Sequence, residues 1–113
     1  MFSTLLVIAG LTSTLTPQQA DRWMGAYLHS MKLHYACRGH GSTYRTAKNM
    51  ALRQVQLLDL YGPSGRFTVR DVTNLDRDLQ AGKVTLDASI NLKDCENLLL
   101  EDKADLEALG DGK

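Results

Sequence analysis

The sequence predicts an α+β fold: a small single domain over residues 1–113, mostly helical, with about four helices and two or three short strands. Three patterns carry this expectation. Ala20, Trp23, Met24, Tyr27, Leu28, Met31 and Tyr35 recur at steps of three and four, the spacing of one helix face. Val84, Leu86, Ala88, Ile90 and Leu92 alternate with Thr85, Asp87, Ser89 and Asn91, the period of a half-buried strand. Leu5-Leu6-Val7-Ile8 is a short apolar run before Gly10, as in a buried strand. The alternative is a helical bundle with an extended N-terminal arm. A hydrophobic fraction of 43% in 113 residues suits one core and one binding surface.

The elements follow in order. After the N-terminal strand, Thr16-Pro17 reads as a helix cap followed by proline in the first turn. That helix is expected over 17–37 and ends at Arg38-Gly39-His40-Gly41, where glycine can turn left-handed. Ser42 or Thr43 caps a second helix over 43–61, with Tyr44, Ala47, Ala51, Val55 and Leu58 on one face. Gly62-Pro63-Ser64-Gly65 is the clearest break in the chain. Val69, Val72, Leu75 and Leu79 fit a third helix, entered through a short extended piece at Phe67 and stopped by Gly82. The alternating strand follows. Asp94 then caps a last helix whose stripe is Cys95, Leu98, Leu99, Leu106 and Leu109.

The charges are sorted along the chain. Eight bases and one acid between residues 22 and 70 give a basic half of +7. Five bases and eleven acids between 71 and 113 give an acidic half of −6, and Asp21 brings the sum to zero. Such sorting points to an anionic partner, or to two halves that attract each other. The expectation is a small non-enzymatic binding protein whose basic helical half engages nucleic acid or a nucleic-acid-processing complex. Arg38, Arg45, Lys48 and Arg53 would contact phosphates around a helix start. His40 and Tyr44 would add hydrogen bonding or stacking, and Trp23, Tyr27 and Tyr35 are further aromatic platforms. One alternative is a protein-binding inhibitor or adaptor of a larger host assembly, of the kind mobile elements encode. A second is a secreted, disulfide-stapled domain.

Other chemistries find less support. His34-x2-Cys37-x2-His40 has metal-like spacing, but His40 lies past the glycine stop and no second pair completes a site, so no metal or other cofactor is expected. No nucleophile and base stand in a catalytic pattern. Gly62-Pro-Ser-Gly65 lacks the Gly-Lys-Ser/Thr ending of a phosphate-binding loop. Helices 43–61 and 69–81 share the order of a helix-turn-helix, but the turn is too long and a strand is expected where a recognition helix belongs.

Compartment and cysteine chemistry are linked. The apolar run near the N-terminus is too short to span a bilayer, and no basic residue precedes it as in a secretory signal. A cytoplasmic protein with Cys37 and Cys95 as free thiols is therefore expected, with no membrane partner. If residues 1–20 are a cleaved signal, the protein is secreted or periplasmic and the two cysteines pair.

Overall fold

Thr16 and Gln19 start the first helix by bonding to each other's backbone. The Gln19 N–H donates to Thr16 Oγ1 at 3.1 Å, and the Thr16 N–H donates to Gln19 Oε1 at 2.8 Å. Pro17 loses nothing in that first turn, because its missing N–H would have had no helical partner. In the computed structural model, which describes residues 16–61, 67–86 and 90–111, this helix is α1, Pro17–Arg38. Gly39 ends it with φ 72°, a left-handed value that costs glycine little, and its N–H donates to the Tyr35 carbonyl at 2.7 Å.

Helix α2, Ser42–Tyr61, buries the predicted stripe of Tyr44, Ala47, Ala51 and Val55. Helix α3, Val69–Gln80, starts where the Thr68 N–H donates to the Asp71 carboxylate at 2.7 Å. It closes on Gly82, also at φ 72°, with Gly82 N–H on the Leu79 carbonyl and Lys83 N–H on the Asp78 carbonyl. That pair of bonds is a Schellman cap. A single 3₁₀ turn, Leu92–Asp94, leads into α4, Cys95–Asp111.

Helix α1 is the central element. It lies along α2 and also meets α3 and α4. The core is built from Met24, Tyr27 and Met31 of α1, the α2 stripe, Val72 and Leu79 of α3, and Leu106 of α4. Removing this apolar surface from water is the main stabilising term. No helix among the described residues is long and apolar enough to cross a membrane.

Two expectations are corrected. The fold is helical, not α+β: the described residues form four α-helices and no strand. The residues of the alternating segment 84–92 that are described instead form a loop and the start of the 3₁₀ turn. A strand needs a neighbour to take its backbone hydrogen bonds, and none is present among the described residues. Val84 packs on the core from the loop, whereas Leu92 is 46% exposed, so the alternation does not mark one buried face. Asn91 instead turns the chain, its side-chain oxygen accepting the Lys93 N–H at 3.0 Å. The expected strand at Leu5–Ile8, like the arm of the bundle alternative, lies outside the described residues.

The second correction concerns the cysteines. Cys37 and Cys95 are not free thiols but a disulfide, with Cα atoms 5.8 Å apart and a sequence separation of 58. Cys37 sits in the last turn of α1 and Cys95 is the first residue of α4. The bond therefore staples the end of one helix to the start of another.

Candidate functional site

The six residues expected to contact nucleic acid do not form one open surface. Tyr44 is fully buried, and its hydroxyl donates to Asp76 Oδ1 of α3 at 2.6 Å. Lys48 donates to Asp76 Oδ2 at 3.1 Å, and Gln80 Nε2 donates to both carboxylate oxygens at 3.0 Å. Burial pushes the Asp76 carboxyl up, but the bonds from Tyr44, Gln80 and Lys48 outweigh it and hold the group below its ordinary pKa. Burial, and then the neighbouring Asp76 carboxylate, push the Tyr44 hydroxyl well above its own. Tyr44 also packs edge-on against Tyr35, with ring centroids 5.1 Å apart. It is an interior strut, with no open face on which a base could stack.

Arg38 is ion-paired with Glu96, one residue beyond the disulfide on each chain segment. His40 is exposed, its ring tilted against Tyr44 at 5.7 Å. Arg45 and Arg53 are exposed on α2. Of the other aromatics, Tyr27 is buried in the core, and Trp23 and Tyr35 pack half-buried against it. The two charge halves meet within the chain, Arg38 with Glu96 at the surface and Lys48 with Asp76 partly buried.

A second set of residues converges that charge sorting did not reveal. A groove of about 600 Å³ runs between α2 and α4 over a floor supplied by α1. Its walls present Ala47 and Met50 with Thr43 and Thr46 on α2, and Leu99, Leu100 and Leu106 with Glu96, Lys103 and Glu107 on α4. Leu100 is 64% exposed and Met50 39%, and together they form a lip. The floor is polar. Ser30, 2% exposed, donates its hydroxyl to Asp102 Oδ2 at 2.7 Å, and Asp102 is itself only 7% exposed. His34 Nε2 lies 3.9 Å from the same oxygen, and His34 Nδ1 is buried without a hydrogen-bond partner. Burial lowers the His34 pKa below its ordinary value; Asp102 offsets part of that and Arg38 adds to it.

The disulfide, joining α1 to α4 near one end of the groove, fixes the separation of floor and wall. Because Cys37 is bonded to Cys95, the His34-x2-Cys37-x2-His40 spacing offers no thiolate to a metal. Among the described residues no cluster of three or more His, Cys, Asp or Glu could hold a metal ion. The signal for the floor was present in the sequence as two interruptions. Ser30 is buried on the inner side of α1, three residues past Tyr27. Asp102 fills the gap in the α4 stripe between Leu99 and Leu106. No protein-family model, curated protein or solved structure matches this chain.

Proposed function

We propose that this protein is a non-enzymatic, disulfide-stapled binding module of an oxidising compartment, and that it holds an amphiphilic ligand in the groove between α2 and α4. The observation that carries this reading is the groove itself: apolar side chains on both walls around a few convergent polar groups, at about 600 Å³. Sites for small molecules have that composition and fall in the range of about 300–1,000 Å³. The Cys37–Cys95 bond supports the compartment, since such bonds persist where thiols are not kept reduced. The geometry of Ser30 supports binding over catalysis. Its hydroxyl donates to a carboxylate, a much weaker base than the imidazole that usually activates a serine.

A neutral solvatochromic dye such as Nile red tests the reading. The oxidised protein should bind it. Leu100→Asp, at an exposed position of the lip, should weaken binding by about tenfold, while Arg45→Ala with Arg53→Ala should leave it unchanged. Unchanged dye binding in Leu100→Asp would remove the groove as the site.

Direct nucleic-acid binding is the second reading, and the exposure of Arg45, Arg53 and His40 on and before α2 is what favours it. Titration with single-stranded DNA and RNA at two salt concentrations separates the two. A salt slope that falls by about one for each arginine removed supports this second reading.

A further inference from the structure

The hydrogen-bonding sense of the groove floor selects a ligand class. Asp102 is a carboxylate and, when ionised, only accepts. Ser30 has committed its one hydroxyl proton to Asp102 Oδ2, so what its oxygen still offers is lone pairs. A neutral His34 imidazole carries one acceptor nitrogen. The floor is thus rich in acceptors and poor in donors. The cations nearby do not reverse this. Arg38 is engaged by Glu96, and Lys103 is exposed on α4 with Glu107, also exposed, one helical turn beyond it. Three carboxylates and two cations line the groove, so its formal charge is −1 with His34 neutral.

We propose that the groove is a site for an amphiphilic primary amine, its ammonium seated among Ser30, His34 and Asp102 and its apolar body lying along Leu99, Leu100 and Met50. This rests on the reading of the groove as the ligand site and adds the chemical class. An ammonium has three donors and no acceptor, which matches three acceptor groups in kind and number. Charge-assisted bonds of this type are the strong ones, and stronger away from bulk water. A carboxylate head would instead meet Asp102 as a like charge, and an alcohol brings only one donor.

His34 gives the site a pH dependence. The charged and titratable groups that line the groove with it are Tyr27 and Arg38 on its own helix and Glu96, Asp102, Lys103 and Glu107 from α4; the α2 residues that line the groove carry no charge. Protonated His34 would no longer accept from the ammonium and would compete with it for Asp102. Affinity should therefore fall with acidification, by at most about tenfold per pH unit below the His34 pKa. An alkylammonium stays charged throughout that range.

The test is calorimetric titration of the full, oxidised chain with octylamine, octanol and octanoate below their micellar concentrations. Octylamine should bind at least about tenfold more tightly than either counterpart at a pH near 8. Asp102→Asn, which keeps an acceptor for Ser30, should abolish that preference, and Leu100→Asp should weaken the neutral octanol. Should Asp102→Asn fail to fold by circular dichroism, His34→Gln and the pH series on the unmodified chain decide. Equal affinity for octylamine and octanol, with both sensitive to Leu100→Asp, overturns the amine class while the groove stands. Binding of none of the three, or binding insensitive to Leu100→Asp, overturns both.

Discussion

Opening the Cys37–Cys95 bond is the perturbation whose size follows most directly from the architecture. The bond joins positions with a sequence separation of 58, and the chain-entropy relation for a loop of that size gives about 4 kcal/mol. With a urea m value of about 1.5 kcal/mol/M for a chain of this size, the unfolding midpoint should fall by roughly 2–3 M. The loss should also be uneven. Helix α4 reaches the core mainly through Leu106 and the Ser30–Asp102 bond, whereas α1 and α2 pack along much of their length. Reduction, or Cys37→Ser with Cys95→Ser, should therefore lower amide protection in α4 more than in α2. Urea unfolding by circular dichroism and hydrogen exchange by mass spectrometry read the two effects. A midpoint shift below about 0.5 M, or equal protection of α4 and α2 after reduction, would refute the claim that the bond holds the α4 wall in place.

Three further outcomes can be checked with purified variants. Tyr44→Phe removes the bond to Asp76 but leaves Lys48 and Gln80 on that carboxylate, so we expect a loss of about 1–2 kcal/mol in urea unfolding. Acid should act on the same network. The Asp76 pKa is lower folded than unfolded, so its contribution is fully present above the unfolded value of about 4 and is lost as pH falls through the folded one; a pH series of melts should show this, and Asp76→Asn should flatten it. Gly82→Ala should cost about 1 kcal/mol in thermal unfolding from backbone conformation alone, because φ is 72° and a Cβ there would meet nothing within 4 Å.

The helices were legible because their signals are local. Thr16, Pro17 and Gly39 bracket α1, and the steps of three and four from Tyr44 to Val55 become the buried stripe of α2. The non-strand course of residues 84–86 and 90–91 was not, because alternation records which residues avoid water and not whether a neighbouring strand exists. The disulfide depends on α1 ending where α4 begins, a tertiary fact that two cysteines 58 residues apart cannot state. The charge sorting allows an anionic partner or two halves that attract each other, and two ion pairs between the halves fit the second. Lys48 and Arg38 find their anions within the chain, at Asp76 and Glu96, before any partner does. The groove floor left only two polar interruptions, Ser30 and Asp102, on helix faces that otherwise read as core.

The most direct test of the account is a ¹H–¹⁵N chemical-shift map of the oxidised protein titrated with octylamine. We expect the largest perturbations at Ser30, His34, Ala47 and the α4 segment from Leu99 to Lys103, with the outer face of α2 around Arg53 unmoved. Perturbations centred on Arg45 and Arg53, or spread without focus over all four helices, would contradict the assignment of the groove as the binding site.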